Sequence, residues 1–321
     1  MKHIFVLNPN AGHGTAKQVL EDKLSGTAFD WEIYTTTAAG DAGRFIREWC
    51  DTHTEPVRFY ACGGDGTLHE VANAIYGYSQ ASMSCYPVGS GNDFVKYYGG
   101  KDRFLDPVAL CSASEAPIDL IRVNDRYAIN ACHFGLDSCV AAMMDKLRHK
   151  KVIGGKRAYP LSVLYAFFKG MRHKATISAD GELLCDNEFL LCTAANGTHV
   201  GGSYRCAPRS SNTDGYMELC FVRRISRLRF LSVIKKYKAG THLDDPSLEK
   251  FIVYRRCKTM QVSAPDGFMI SLDGEVQQQS SFTAEIIPSA IRFAVPEQKN
   301  KNFFFTNRIE CCTMSSFEQT E

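Results

Sequence analysis

The 321-residue sequence lacks the cysteine spacings that mark common metal and redox sites. No two of its 13 cysteines stand three positions apart, so a Cys-x-x-Cys element is absent. The odd and scattered set predicts free thiols in a reducing compartment rather than a disulfide framework. A formal net charge of only +2 gives no support to nucleic-acid binding by the whole molecule.

Long apolar runs are missing as well. Residues 3–7 form too short a run for a signal peptide, and Asn8-Pro9 ends it. The most apolar longer stretch, residues 159–168, falls far below the roughly 20 residues that a helix needs to span a bilayer. We therefore expect a cytoplasmic protein that does not cross a membrane.

Two frequent nucleotide-binding motifs are also absent. Neither Gly100-Lys101 nor Gly155-Lys156 is followed by Ser or Thr, so there is no Walker loop. No complete G-x-G-x-x-G fingerprint of a dinucleotide-binding fold occurs either. Any nucleotide site must therefore be built from other residues.

The first half of the chain alternates between strand-like and helix-like patterns. Four apolar runs are strand-like: residues 4–7, 31–35, 57–61 and 83–88. Three segments between them have helical spacing: residues 15–24, 41–50 and 67–76. This alternation predicts a doubly wound parallel α/β sheet, in which ligands bind at the carboxyl ends of the strands.

Glycine-rich loops follow three of these strands, at residues 8–14, 63–66 and 89–93. The helices after the first two open with Thr15-x-x-Gln18 and Thr67-x-x-Glu70, which predict capping boxes. A glycine loop that leads into a helix presents free N–H groups and the positive end of the helix dipole. Each loop alone could be a plain turn, but three at one sheet edge predict a phosphate site.

Asp65 is the unusual residue in these loops. A carboxylate beside a phosphate repels it, since both carry negative charge. The position therefore predicts either a cation such as Mg²⁺ between the two groups or an acid that acts as a base.

Four motifs resemble the diacylglycerol-kinase catalytic-domain family, which also contains sphingosine, ceramide and bacterial lipid kinases. They are Asn8-Pro9-x-Ala11-Gly12, Gly63-Gly64-Asp65-Gly66-Thr67-x-x-Glu70-Val71, Pro87-x-Gly89-Ser90-Gly91-Asn92-Asp93-Phe94 and Leu272-Asp273-Gly274-Glu275. NAD kinases and phosphofructokinases share the Gly-Gly-Asp-Gly core, whereas the third motif is far more specific to lipid kinases. The resemblance covers about residues 3–295.

The resemblance implies two domains. A doubly wound parallel α/β nucleotide-binding domain would comprise residues 1–118 and about 289–321, and an antiparallel β-sandwich would comprise residues 119–288. Turn signals at Asn124-Asp125, Asp180-Gly181, Asp266-Gly267 and Asp273-Gly274 agree with short antiparallel strands, and helices are expected near 137–150 and 159–171. The active site would be the cleft between the domains.

Within that cleft the resemblance implies ATP as the phosphoryl donor. The implied nucleotide-binding residues are Asn8, Pro9, Asn10, Gly12, Thr36, Gly63, Gly64, Asp65, Gly66, Thr67, Glu70, Gly89, Ser90, Gly91, Asn92 and Asp93. Asp65 would face the phosphates through Mg²⁺. Glu275, or Asp273 beside it, would accept the proton of a lipid hydroxyl, although Asp273-Gly274 could equally be only a hairpin turn.

The resemblance also implies a second, structural Mg²⁺ site. Its residues would be Asp119, Ser211, Asp214 and Tyr216. The alternative for Asp214-Gly215 is a plain turn before the strand that begins near Tyr216.

Basic residues form two clusters: Lys146, Arg148, Lys150, Lys151, Lys156 and Arg157, and then Arg223, Arg224, Arg227, Arg229, Lys235, Lys236 and Lys238. The second cluster has helical spacing, with Leu228, Leu231, Ile234 and Tyr237 along one predicted side. Such a helix could dock on an anionic membrane, or it could be the solvated face of a packed domain.

Together these features predict an ATP- and Mg²⁺-dependent kinase of a lipid hydroxyl. Diacylglycerol is the first candidate, peripheral membrane association is expected, no nucleic acid is involved, and homodimerisation is left open. The alternatives are a sphingoid base or another lipid alcohol, a soluble substrate as in NAD kinases, and a catalytically inactive regulator. The lipid-kinase motif argues against the NAD-kinase alternative, and the presence of Asp65, Asp273 and Glu275 argues against an inactive regulator.

Overall fold

The computed structural model describes residues 1–148 and 158–298. Its α-helices are α1 (Ala16–Leu24), α2 (Asp41–Thr52), α3 (Asp65–Ile75), α4 (Pro107–Cys111), α5 (Leu136–Arg148), α6 (Ala158–Lys169) and α7 (Arg227–Ala239). Its strands are β1 (Lys2–Leu7), β2 (Asp30–Thr35), β3 (Val57–Gly63), β4 (Ala81–Pro87), β5 (Ser114–Val123), β6 (Arg126–Ala128), β7 (Ala131–Gly135), β8 (His173–Lys174), β9 (Thr176–Ala179), β10 (Glu182–Cys185), β11 (Glu188–Ala195), β12 (Met217–Arg223), β13 (Ile252–Cys257), β14 (Thr259–Ser263), β15 (Met269–Leu272), β16 (Glu275–Gln278) and β17 (Ser281–Val295).

The N-terminal half is the predicted parallel α/β domain. Its strands pair in the order β4-β3-β1-β2, all parallel, and β3 and β4 are buried along their whole length. The chain moves outward from β1 to β2 on one side and from β3 to β4 on the other. The right-handed crossovers therefore place α1 on one face of the sheet and α2 and α3 on the opposite face. The contacts between α2 and α3, and between α1 and α4, agree with this arrangement.

The C-terminal half is the predicted antiparallel sandwich. One of its sheets has the order β13-β12-β11-β7-β15-β16, and the other contains β10, β9, β14, β17, β5 and β6. The core between the sheets is rich in aromatic rings, among them Phe134, Phe189, Phe221 and Phe282. On the outer side of the first sheet, α6 and α7 pack through Ala166, Phe230, Val233 and Tyr237.

The two halves share continuous strands instead of a linker. β17 pairs with β14 and β5 in the sandwich and then reaches β4, where Phe293 lies opposite Met83 in parallel pairing. The end of β17 therefore pairs with the N-terminal sheet again. One ten-stranded sheet runs through both halves.

The buried carboxylate of Asp119 lies where these shared strands bend. The register of β5 and β17 breaks between Ile287 and Ile291. Asp119 Oδ1 accepts the N–H of Ser289 at 2.8 Å, and Oδ2 accepts the N–H of Gly215 at 2.8 Å. Both carboxylate oxygens thus satisfy backbone donors at the predicted domain boundary.

Both predicted capping boxes are wrong. α3 begins at Asp65 with Gly64 as its N-cap, so Thr67 lies inside the helix. The Glu70 side chain instead accepts the N–H of Gly43 at 3.0 Å, near the start of α2. At α1, Thr15 makes no side-chain cap, and its hydroxyl donates to the Gly12 carbonyl.

The apolar residues predicted along one side of α7 do not share a face. Leu228 is 82% exposed and Leu231 51% exposed, whereas Tyr237 is buried. Successive residues of a helix are about 100° apart, so a spacing of three drifts backward by about 60° each time. Leu228 and Tyr237 are nine positions apart and therefore lie on opposite sides.

No helix in the described ranges is both long and apolar enough to cross a membrane. Lys150, Lys151, Lys156 and Arg157 of the first basic cluster lie outside the described residues, as does the predicted return of the chain after residue 298.

Asp119→Asn tests the bend between the two halves. An amide has one acceptor oxygen, and its NH₂ group would face a backbone N–H that the carboxylate now satisfies. We expect the free energy of unfolding to fall by about 2 kcal/mol, since a buried donor loses its partner. Urea denaturation measures this, with Asp125→Asn in the exposed β5–β6 turn as the control. A loss no larger than that of the control would contradict the role of Asp119.

Candidate active site

Backbone hydrogen bonds bring the three glycine-rich loops together. The N–H of Asn8 donates to the Cys62 carbonyl at 3.0 Å, and the N–H of Gly12 donates to the Val88 carbonyl at 3.1 Å. The loops lie at the carboxyl ends of β1, β3 and β4, where the strand order reverses between β1 and β3. Ligands bind at such a switch point in open α/β sheets.

Close packing of two loops explains one of the glycines. The N–H of Gly89 donates to the Gly63 carbonyl at 2.9 Å. A Cβ atom on Gly89 would lie 2.3 Å from the Cα of Gly64, so any side chain there would push the loops apart. The second and third loops, residues 63–66 and 89–93, therefore form one continuous backbone surface.

The N-terminus of α3 is the part of this surface that suits an anion. Asp65, Gly66 and Thr67 are its first residues, and the N–H groups of a first helical turn have no partner within the helix. Together with the helix dipole they favour a phosphate group. Ser90 and the Pro9-Asn10 pair are exposed at the rim of the same edge.

The surroundings of Asp65 disfavour the negative charge of its carboxylate. Its Oδ1 accepts the N–H of Asp93 at 2.7 Å. Burial, followed by repulsion from the Asp93 carboxylate, raises the pKa of Asp65 to about 7. A bound cation would stabilise the ionised form of Asp65.

The donor set fits Mg²⁺ held jointly with a nucleotide. Mg²⁺ is commonly bound by one or two carboxylates together with substrate phosphates and waters, and Asp65 supplies one such carboxylate. Within residues 1–148 and 158–298, no group of three potential metal-ligating side chains is found. The phosphates and water would therefore have to complete the coordination.

Asp93 connects the third glycine-rich loop to the C-terminal half. Its Oδ1 and Oδ2 both accept the N–H of Gly202 at 3.0 Å, and Lys96 Nζ lies 2.5 Å from Oδ1. The Lys96 ammonium also donates to the Gly202 carbonyl at 2.6 Å. Gly202 of the C-terminal half thereby holds the third glycine-rich loop in place.

Asp273 makes a second connection between the halves. Its Oδ1 accepts the N–H groups of Asn130 and Ala131 at 2.8 and 3.0 Å. Its Oδ2 accepts the N–H of Ile129 at 2.9 Å and contacts His69 Nδ1 at 2.8 Å. His69 belongs to α3, so this buried carboxylate links α3 to the β15–β16 turn.

The hydrogen-bond partners of His69 assign its tautomer. The Arg126 guanidinium, which has only donors, lies 3.1 Å from Nε2. Nε2 therefore accepts, and Nδ1 carries the proton that it donates to Asp273. Asp273 therefore accepts four hydrogen bonds, one from His69 and three from backbone N–H groups.

Glu275 differs from Asp273 in having no fixed partner. Its side chain is exposed and forms no hydrogen bond or ion pair with any described residue, whereas its backbone pairs with Leu272 in the hairpin. A Cβ atom on Gly66 would lie 2.9 Å from Glu275 Oε1, so the glycine lets this carboxylate approach the N-terminus of α3. The turn between the two acids has positive φ at Asp273 and Gly274, as a type I′ hairpin requires.

Two other predicted nucleotide residues make structural contacts. The Thr36 hydroxyl donates to the Leu7 carbonyl at 3.3 Å, at the same edge of the sheet as the loops. The Glu70 carboxylate faces α2, as described above. Their contact with a nucleotide stays a prediction.

The residues of the predicted second metal site are neighbours, but protein donors occupy their carboxylates. Asp214 Oδ2 accepts from Arg256 at 2.6 Å, and its Oδ1 accepts the N–H of Tyr216 at 3.1 Å. Both Asp119 oxygens bind backbone N–H groups, and the Ser211 hydroxyl lies 3.4 Å from that of Thr213. A metal ion at these residues stays a prediction.

Sequence reasoning missed His69, Lys96 and Gly202. His69 stands within the quoted glycine motif, four residues after Asp65, so its position on α3 could have marked it. Nothing in the sequence indicates its pairing with Asp273, which is 204 positions away.

Comparisons with known proteins agree with this architecture. Residues 2–123 match the diacylglycerol kinase catalytic domain, and residues 130–295 match the YegS C-terminal NAD kinase beta sandwich-like domain. A diacylglycerol kinase structure from Bacillus anthracis has the same fold, with a TM-score of 0.68 at 19% identity over 92% of this chain and 96% of that one.

Relatives of similar length carry lipid-kinase names. A "Probable lipid kinase YegS-like" of Pseudomonas fluorescens is 30% identical over 303 residues, which cover 89% of this chain and 94% of that protein. A "Diacylglycerol kinase" of Bacillus subtilis is 28% identical over 279 residues, covering 84% and 88%. The chain therefore belongs to the lipid kinases that join a diacylglycerol kinase catalytic domain to a YegS-type β-sandwich domain.

Proposed function

We propose that this lipid kinase transfers the γ-phosphoryl group of ATP to the hydroxyl of diacylglycerol at a membrane surface. The observation that carries the proposal is the position of Glu275, whose free carboxylate faces the anion-binding N-terminus of α3 across Gly66. A proton acceptor thus lies beside the place where a transferable phosphate would sit.

The nucleotide half of the reaction depends on positioning and charge. The N–H groups at the start of α3 and the glycine loops would hold the phosphates. Mg²⁺, when bound, neutralises phosphate charge, and Asp65 is the residue that would hold it. Because the Asp93 N–H donates to Asp65, the third glycine-rich loop orients this carboxylate.

The acceptor half needs one general base. Glu275 would accept the proton of the lipid hydroxyl while the hydroxyl oxygen forms its bond to the γ-phosphorus and the bond to the ADP oxygen breaks. Asp273 is poorly suited to this step because four donors already occupy its oxygens. We assign Asp273 the role of holding the turn that carries Glu275.

The choice of diacylglycerol is supported by the catalytic-domain match and by the name of the Bacillus subtilis relative. A sphingoid base or another lipid alcohol presents the same hydroxyl chemistry. The decisive experiment is incubation with γ-labelled ATP, Mg²⁺ and detergent-dispersed lipids, with NAD as a soluble control. We expect label in diacylglycerol. Label in another lipid alcohol would show that the substrate is that alcohol instead of diacylglycerol. Label in NAD alone would contradict the proposal.

Asp65→Asn separates activity from stability. Asn keeps an oxygen for the Asp93 N–H, so the fold should persist, but the metal-binding charge is lost and most of the turnover with it. The pKa of Asp65 in the folded protein, about 7, lies above its ordinary 3.8. The folded state therefore holds this proton more tightly than the unfolded state, and stability falls as pH rises through that window.

Asn cannot ionise, so the variant should gain stability relative to the natural sequence on going from pH 5 to pH 8. We expect a relative gain of at least about 1 kcal/mol, since one pKa unit corresponds to about 1.4 kcal/mol. Urea denaturation without nucleotide or metal measures it. Near-normal turnover, or an equal stability difference at both pH values, would count against the account of Asp65.

Substitutions of the two acids of the β15–β16 turn should affect different properties, turnover for Glu275 and stability for Asp273. Glu275→Gln should lower turnover at least about 100-fold, because it removes the base while keeping size and hydrogen bonding. Its stability and ATP affinity should change little, since Glu275 is exposed. Asp273→Asn should lower the free energy of unfolding by about 3 kcal/mol, because buried N–H groups that now donate to the carboxylate would lose an acceptor oxygen and face an NH₂ group.

Turnover, ATP affinity and urea denaturation of both variants decide the assignment. If Glu275→Gln turns over normally, Glu275 is not the base. If its ATP affinity falls as much as its turnover, the residue is part of the nucleotide site instead. If Asp273→Asn is as stable as the natural sequence, the positioning role is wrong.

A further inference from the structure

Exposed large apolar side chains are concentrated on two helices. Six of the nine in the described residues lie on α6 and α7: Leu161, Leu164, Tyr165, Phe168, Leu228 and Leu231. The four on α6 have the spacing i, i+3, i+4 and i+7, which places them on one face. Scattered exposed apolar residues are ordinary, but a contiguous set marks an interaction surface.

Direct contacts join the two helices. The Arg227 guanidinium at the start of α7 donates to the carbonyls of Phe167 and Phe168 at the end of α6, at 3.1 and 2.9 Å. The rings of Phe167 and Phe230 also lie 5.9 Å apart. The exposed residues therefore belong to one surface, which we call the α6–α7 surface.

Charge identifies the partner that this surface fits. α6 and α7 contain no Asp or Glu, and they carry six basic residues: Lys169, Arg227, Arg229, Lys235, Lys236 and Lys238. Lys236 pairs with Asp245, whereas Lys235 and Lys238 are exposed. An apolar face bordered by basic side chains matches the boundary between acyl chains and anionic headgroups.

A second copy of the chain fits less well. A two-fold interface places the same patch on both partners, so two α6–α7 surfaces would bring like charges together.

The α6–α7 surface lies close to the β15–β16 turn, since α6 packs on α5 and α5 contacts β15 and β16. A single helix thus separates it from the hairpin that carries Glu275.

We propose that the α6–α7 surface inserts its apolar side chains into the interfacial region of an anionic bilayer, with the basic side chains at the headgroups. The proposal rests on the proposed function, because an enzyme acting on a membrane lipid must meet its substrate there. It adds an apolar contribution from α6 that electrostatic docking of α7 alone would lack. Binding should therefore keep a component that salt does not screen.

Vesicle co-sedimentation of the full chain tests the proposal, with vesicles of phosphatidylcholine and phosphatidylserine. Leu164→Gln with Leu228→Gln should lower vesicle affinity at least about 10-fold, at low and at high salt, because apolar surface no longer enters the bilayer. Lys235→Gln with Lys238→Gln should lower it about 30-fold at low salt and little at high salt. The matched control, Val108→Gln with Leu183→Gln, changes two exposed apolar residues elsewhere and should bind normally.

Several outcomes would overturn the proposal. They are absence of vesicle binding by the natural sequence, normal binding by the Leu164/Leu228 variant, and a loss as large in the Val108/Leu183 control. Sedimentation velocity adds another: a dimer that the Leu164/Leu228 variant turns into a monomer, with vesicle binding intact, would assign the surface to a second copy.

Activity on a short-chain, water-soluble diacylglycerol separates this proposal from the proposed function. The Leu164/Leu228 variant should phosphorylate that substrate as well as the natural sequence does, since the catalytic cleft is unchanged. If the natural sequence itself fails to phosphorylate it while still binding vesicles through these residues, the proposed function is wrong and the membrane surface stands.

Discussion

The carboxylate of Asp273 accepts hydrogen bonds from both halves of the molecule, and the geometry of the active site depends on it. One donor is His69 of α3, and three are backbone N–H groups where the chain enters the sandwich. Removing these donors from a buried carboxylate is costly, since a hydrogen bond to a charged group contributes about 1.5–3 kcal/mol. The helix that would bind phosphate and the turn that carries Glu275 are therefore held in one arrangement.

The same site concentrates negative charge. Asp65 and Asp93 lie close enough for repulsion to contribute to the raised pKa of Asp65, while Lys96 and backbone N–H groups compensate Asp93. This arrangement costs stability in the empty protein, and a cation bound together with nucleotide would recover it. Phosphoryl transfer requires mainly positioning and charge neutralisation, so a preformed site of this kind suits the reaction.

Local patterns in the sequence were sufficient for the strands, most helices and the convergence of the glycine loops, because period and loop chemistry act over a few residues. The capping box predicted at α3 is wrong because α3 begins at Asp65, so the Glu70 side chain contacts α2 instead of the start of its own helix. The one predicted at α1 is wrong because the Thr15 hydroxyl donates to the Gly12 carbonyl instead of capping the helix. The prediction that one side of α7 is apolar is wrong because residues spaced three positions apart shift progressively around a helix. The pairing of His69 with Asp273 joins residues 204 positions apart and follows only from the complete fold.

A crystal structure of the protein with a non-hydrolysable ATP analogue and Mg²⁺ would locate the terminal phosphate and the metal ion. We predict the terminal phosphate at the N-terminus of α3, with the metal ion on Asp65. The Glu275 carboxylate should face an open position from which an acceptor oxygen can approach the γ-phosphorus to about 3–3.5 Å. A terminal phosphate bound away from α3, or a Glu275 side chain turned away from that position, would contradict it.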